Sequence, residues 1–224
     1  MKGFKVNTKL VLTLMGLGIL VSGCAILGVA VSPSAAEVKL KAEYNLAQKE
    51  PNSILIFVDQ PATAINTSNI RLYISQFAEA MLVTKLKLKQ ETIIPYQKLS
   101  ELRDSREDFA MLSPVEVGRA LGAEMVLYIT VDEFRQAKLG SEGFYESILT
   151  TRSGLYDVTR GELVWPEDGN LRKIKVGLDM EKGEFDKGAS RLAEASVKCI
   201  IRYLYDVKKI DSRVPEEVNY NWSE

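Results

Sequence analysis

The sequence predicts an α/β (α+β) domain, a mixed β-sheet with amphipathic helices packed on it, and three observations lead there. Residues 53–58 and 125–131 are short, continuous, branched apolar runs, the pattern of strands buried on both faces. Two stretches, 70–82 and 192–207, repeat apolar residues at three and four positions, as helices with one buried face do. Between them, residues 144–165 are β-rich and broken by a tight turn, Thr159-Arg160-Gly161-Glu162. The order β-α-β-α-α-β, then a hairpin and a helix, suits one globular domain over residues 53–207.

In chain order, residues 1–23 read as a lipoprotein signal peptide. A basic n-region (Lys2, Lys5, Lys9) precedes an uncharged run that reaches Val21-Ser22-Gly23-Cys24. Lipid attachment needs a thiol at the membrane face, and the peptidase that follows needs small residues before its cut; Cys24, Ser22 and Gly23 supply them. Cys24 is therefore the expected lipidation site and the bilayer the first expected partner. Ala25, uncharged, is compatible with outer-membrane sorting under a rule known for some bacteria. Two other readings stay open. The 23 uncharged residues 10–32 are long enough as a helix to cross a hydrocarbon core of about 30 Å, and Ser34-Ala35-Ala36 has the form of an ordinary secretory cleavage site. In each case the remainder of the chain is expected outside the cytoplasm or facing away from it, in the cell envelope and toward the periplasm.

Residues 24–52 read as the lipidated N-terminus and a tether with an edge strand at most, because Lys and Glu crowd residues 37–52. Residues 53–58 form the first strand, ended by Asp59-Gln60-Pro61, and Thr67-Ser68-Asn69 offers caps for the helix that follows. Its expected buried face is Ile70, Tyr73, Ile74, Phe77, Ala78, Met81 and Leu82; Arg71, Ser75, Gln76 and Glu79 fall opposite. Residues 92–94 are a short strand closed by Pro95, 96–102 a short helix, and 104–108 a polar loop. Ser113-Pro114-Val115-Glu116 carries a cap residue, proline at the first helical position and glutamate at the third, and Gly122 is placed to end that helix in the left-handed region. Gly154 is a candidate bulge in the long strand 144–158, residues 163–165 return as its partner, and 173–180 read as another strand. The last residues, 208–224, read as a flexible tail.

Composition narrows the chemistry. The chain has 224 residues and no histidine, which excludes Ser-His-Asp and Cys-His catalysis and His-ligated zinc. Without residues 1–23 it has 26 basic against 30 acidic side chains, a net charge of −4, and no basic stripe that would point to nucleic acid. Of two cysteines, Cys24 is committed to lipid, so Cys199 has no partner for a disulfide and reads as buried packing. No phosphate loop, Cys-x-x-Cys, Ser-x-x-Lys or Gly-x-Ser-x-Gly is present. No catalytic residue, metal ligand or cofactor is assigned. The acids Asp132, Glu133, Glu142, Glu146, Asp157, Glu167 and Asp168 are the one catalytic resource. As a pair held about 5–9.5 Å apart they would suit glycoside hydrolysis, the alternative reading from the enzyme class. Calcium binding by them lacks an Asp-x-Asp-x-Asp loop. Asp157 and Glu162 flank the turn, where an aspartate holding turn amides is the expected use. Trp165, Tyr220 and Trp222 are candidate partner-docking aromatics, Trp165 also a candidate core anchor.

Residues 53–165 carry a resemblance. A buried strand ends in Asp59; "Ser-Pro-Val-Glu-Val-Gly-Arg-Ala-Leu-Gly-Ala-Glu" leads into "Met-Val-Leu-Tyr-Ile-Thr-Val"; and "Leu-Tyr-Asp-Val-Thr-Arg-Gly-Glu-Leu-Val-Trp" follows. Residues 118–131 and 157–165 in particular resemble the α/β domain of curli-secretion-channel-type lipoproteins, of lipoprotein activators of penicillin-binding proteins, and of the amino-terminal domain of the Tol-system translocation protein. The resemblance implies envelope assembly or adaptor work through protein contacts. It transfers no catalytic residue. The sequence shows no clear pair of long amphipathic strands of the kind that close into a barrel; an oligomeric channel component is the third reading.

Overall fold

The computed structural model describes residues 39–60, 69–139, 144–182, 185–208 and 218–222. Its elements are β1 (Lys39–Leu40), α1 (Leu46–Lys49), β2 (Ile54–Asp59), α2 (Ile70–Thr84), β3 (Ile93–Ile94), α3 (Tyr96–Ser105), α4 (Pro114–Leu121), β4 (Met125–Leu139), β5 (Phe144–Asp157), β6 (Glu162–Trp165), β7 (Arg172–Lys182), α5 (Phe185–Ile201), β8 (Val207–Lys208) and β9 (Val218–Trp222). Strands β3-β2-β4-β5-β7-β9 lie in that order in one mixed sheet, with β6 paired to β5 beside it. The β3-β2-β4 third is parallel and the rest antiparallel. The mixed α/β architecture expected from the sequence is the one observed.

Two apolar clusters explain the pattern along each strand. Ile54, Ile56 and Val58 of β2, with Met125, Leu127, Ile129 and Val131 of β4, face α2 and α5. Leu55, Phe57 and Val126 point the other way, to Leu99 of α3, Val117 of α4 and Phe109. A strand covered on both faces needs consecutive apolar residues, which is why β2 and the first half of β4 read as unbroken runs. Strands β5 and β7 are covered on one face. Leu149, Leu155, Ile174, Val176 and Leu178 join the α2/α5 side, while Arg152, Lys173 and Lys175 are exposed on the other.

Local signals act as their chemistry requires. Ser113 accepts the Glu116 amide at 3.3 Å, the Glu116 carboxylate accepts the Ser113 amide at 2.8 Å, and Gly122 closes α4 at φ 72°. Asp157 accepts the Arg160 amide at 2.9 Å across the hairpin turn, where Gly161 takes φ 73°. Cys199 is buried in the α5 face, and burial pushes its thiol up to about 12.

Several expectations are corrected. Residues 39–52 contribute the strand allowed for them, β1 paired with β8, and are more than a tether, since Leu46 is fully buried. Ser75, placed on the polar side of α2, is fully buried, because α2 packs against α5 as well as the sheet and the covered arc widens. Helix α3 runs three residues past its expected end, to Ser105. Strand β4 passes through a bulge between Val131 and Glu133 and continues to Leu139, so β4 and β5 make a long antiparallel pair that alternation alone did not reveal. One side of its outer half carries Glu133 and Arg135 and the other Phe134, Gln136 and Lys138, so neither side is uniformly apolar. Gly154 is not itself the bulge: the register shift against β6 lies at Leu155/Tyr156. Its reason is space, since a Cβ there would sit 2.7 Å from Leu163 Cδ1 and 3.2 Å from the Trp165 carbonyl. Within the expected tail, β9 pairs with β7; residues 209–217 and 223–224 lie outside the described residues, as do 1–38. Among the described residues no helix is long and apolar enough to cross a membrane.

Helix α4 lies so close to the sheet that a Cβ on Gly118 would meet Val126 Cγ2 at 2.5 Å and Val158 Cγ2 at 2.7 Å. Both neighbours are stiff β-branched side chains. Alanine in a helix interior gains about 0.5–1 kcal/mol over glycine, but overpacking a core costs about 1–3 kcal/mol, so Gly118→Ala should be net destabilising. Urea denaturation should show a lower midpoint at unchanged slope; a raised midpoint would contradict this packing.

Candidate functional site

The acids singled out in the sequence do not converge. Asp132, on the β4 bulge, takes a bidentate ion pair from Arg152 at 2.7 and 2.9 Å. Glu133 accepts from the Thr150 hydroxyl at 3.4 Å and lies 3.9 Å from Arg135. Asp157 is held by Arg160 at the far end of β5, five residues from Arg152 and so about 17 Å away along the strand. Asp168 accepts the Asn170 amide at 3.0 Å, beyond the cis Trp165–Pro166 bond, and Glu167 stands in the same exposed turn. Glu146 lies opposite Ala137 on the outer part of the β4–β5 pair; Glu142 is outside the described residues. Among the described residues no group of three or more acidic, cysteine or histidine side chains is disposed to hold a metal ion.

Two polar clusters emerge that the sequence did not single out. The first is at the carboxyl ends of the parallel strands, where open α/β sheets present a crevice. Asp59, last in β2, lies beside Tyr128 of β4, whose hydroxyl donates to it at 3.3 Å. Arg103 of α3 donates to the Val58 carbonyl at 3.1 Å and lies 5.1 Å over the Phe109 ring. Burial pushes the Arg103 guanidinium down from its usual range, and the nearby Arg71 adds to the effect. Burial, and then the Asp59 charge, push the Tyr128 phenol up to about 12. A phenol so held is a hydrogen-bond donor at neutral pH, suited to fixing β2 against β4 and unsuited to proton abstraction.

The second cluster surrounds Trp165. Its side chain is fully buried, and the indole N–H donates to the Glu43 carboxylate at 2.9 Å. Arg172 donates to the same Glu43 oxygen at 2.7 Å. Tyr203, at the end of α5, stacks at 5.6 Å on Trp165 and receives Arg172 and Arg202 over its ring at 5.2 and 4.5 Å. Trp165 is thus the core anchor of its two readings, and its docking reading is corrected: a buried ring with its N–H occupied has nothing left to offer a partner. The segment around Glu43 that meets it is crowded with Lys and Glu, the composition that makes it look like a tether. Of the other docking candidates, Tyr220 and Trp222 stand in β9 opposite Val176 and Ile174 in the backbone register; Cys24 lies outside the described residues.

No family model and no curated protein matches the chain. Solved structures that it is similar to include the PelC dodecamer from Paraburkholderia phytofirmans, at 16% identity over 75% of this chain and 96% of that one, TM-score 0.41. Others are lipoprotein GNA1162 from Neisseria meningitidis, at 17% identity over 68% and 99%, TM-score 0.40, and the LpoB C-terminal domain from Salmonella enterica, at 18% identity over 60% and 93%, TM-score 0.31.

The Asp59–Tyr128 contact has a spectroscopic consequence. With a folded pKa near 12 against 10 unfolded, Tyr128 contributes stability that is fully present below pH 10 and is lost as pH rises toward 12. Ultraviolet difference titration should show one tyrosinate forming last, and Asp59→Asn should bring it to lower pH by removing the neighbouring charge. An unmoved titration in that variant would mean the contact is absent in solution.

Proposed function

We propose that the protein is a lipid-anchored lipoprotein of the cell envelope that works by contacting other envelope proteins, as a non-enzymatic adaptor or assembly factor. The observation that carries the anchoring is Val21-Ser22-Gly23-Cys24 after a basic n-region. Acylated at Cys24, the domain is held on the periplasmic face of a membrane, and we assign the outer membrane from the uncharged Ala25. The non-enzymatic reading is supported by how the reactive groups are used. Asp132, Asp157 and Asp108 are each paired with an arginine; the Cys199 thiol and the Tyr128 phenol hold their protons far above neutral pH. What the domain presents outward is a sheet face with Arg152, Lys173 and Lys175, beside acidic residues of the β4 bulge. Mixed charge of this kind serves selectivity and register in protein contacts.

Cys24→Ser separates the parts of this reading. The Cys24→Ser variant should lose acyl mass and retain residues 1–23, because the cut follows lipid attachment, and the intact mass of the mature wild-type chain should carry acyl groups on an amino-terminal Cys24. A mature wild-type chain without acyl mass would refute lipid anchoring. Crosslinking in cells, followed by mass spectrometry of the captured species, should recover envelope proteins.

A further inference from the structure

Two arginines at the carboxyl end of β2 carry charge that their surroundings do not balance. Arg103 of α3 reaches over the end of the strand, and its partners there are neutral: the Val58 carbonyl at 3.1 Å, the Phe109 ring at 5.1 Å and the Tyr96 hydroxyl. Arg71 of α2 stands close enough to disfavour the charge on Arg103. Both residues are partly buried. Among the described residues Arg71 makes no hydrogen bond, and neither arginine has an ion pair.

Other arginines of the domain are neutralised. Arg152 has Asp132, Arg160 has Asp157 and Arg172 has Glu43. The acid just beyond α3, Asp108, goes to Arg106, at 2.7 and 2.8 Å. Asp59 is near Arg103, but its oxygens accept from the Gln60 amide at 2.9 Å and the Tyr128 hydroxyl at 3.3 Å. Two guanidinium groups against one carboxylate leave a net positive charge. The place of Arg71 adds to it. Arg71 lies in the first turn of α2, which holds no acidic residue and whose Asn69 makes no side-chain cap, so a cation sits where the helix end is already positive. Uncompensated charge that is partly withdrawn from water costs stability until a counter-ion arrives. It stands at the carboxyl edge of the parallel strands, where open α/β sheets receive their ligands.

We propose that Arg71 and Arg103 form an oxyanion site that takes a phosphate group. Phosphate fits better than carboxylate. The two planar forks come from helices on opposite faces of the sheet and need acceptor oxygens in more than one plane, which a tetrahedral ion offers. The phosphate is that of a soluble ester or of a phospholipid headgroup. The site stands whether or not Cys24 is acylated.

The full chain, purified in detergent without phosphate, is titrated with sodium phosphate, glycerol 3-phosphate or dihexanoyl-phosphatidylglycerol, each against sodium chloride of equal ionic strength. The arginine Nε–Hε resonances are followed by NMR, with Arg71→Lys and Arg103→Lys to assign them. Both signals should move along one saturation curve with phosphate and stay in place with chloride. A response to glycerol 3-phosphate alone of the two esters assigns a soluble ligand, and a response to the lipid assigns a headgroup. Signals that move equally with chloride, or with none of the three, would overturn the proposal. Arg71→Gln removes no contact of the fold and should weaken phosphate binding about tenfold or more. In phosphate-free buffer its urea midpoint should equal or exceed that of wild type, because repulsion from Arg103 and from the helix end is relieved. In saturating phosphate the order should reverse. A lower midpoint without phosphate, or the same gain from phosphate in both proteins, would refute the site.

Discussion

The pairing of β2 with β4, parallel and buried on both faces, is the constraint that the rest of the molecule answers to. Six consecutive pairs, from Ile54 with Met125 to Asp59 with Thr130, hold β2 along β4, while β3 pairs Ile54 and Leu55 on its other edge and Arg103 takes the Val58 carbonyl. A parallel pair cannot be closed by a hairpin; its crossover has to travel over a face, and helices do so while covering apolar surface. Here the crossover contains α2 on one face and α3 and α4 on the other. The same pair fixes the polar cluster at its carboxyl end, because Asp59 reaches Tyr128 only while β2 and β4 keep register. Past that point the demand relaxes. The antiparallel strands β5 and β7 are covered on one side, so their free side carries charge, and the exposed surface available for contact is a consequence of topology.

Where a feature is written in neighbouring residues, it was legible. The Ser113–Glu116 capping box, the Gly122 terminus, the Asp157–Gly161 turn and the two amphipathic helices are each specified by residues within one or two turns of each other, and local physics determines them. What was not legible depends on residues far apart in the chain. Glu43 and Trp165 are 122 positions apart, and nothing near Glu43 announces that an indole and a guanidinium await it. Ser75 falls on the polar side of a helix set against one surface, but α5 supplies a second. The length of β4 was hidden by a bulge at Val131/Glu133, which changes the face on which its apolar residues fall. The candidate docking aromatics fail at Trp165 for the same reason: a tryptophan followed by a turn reads alike whether its ring points inward or outward.

A carboxylate holds the buried tryptophan, and the choice has a cost. A backbone carbonyl would satisfy the indole N–H with less desolvation, and an apolar neighbour would seal the ring more firmly. Glu43 instead brings a charge that also neutralises Arg172, whose guanidinium lies over Tyr203 where a lone cation would be costly to leave unpaired. The arrangement therefore couples three separated parts of the chain, the segment around Glu43, the hairpin return strand and the first residue of β7, through a single side chain that water can still reach. Stability alone would favour an apolar join at this place. A polar join at Glu43 costs some stability relative to an apolar one and leaves the junction open to water.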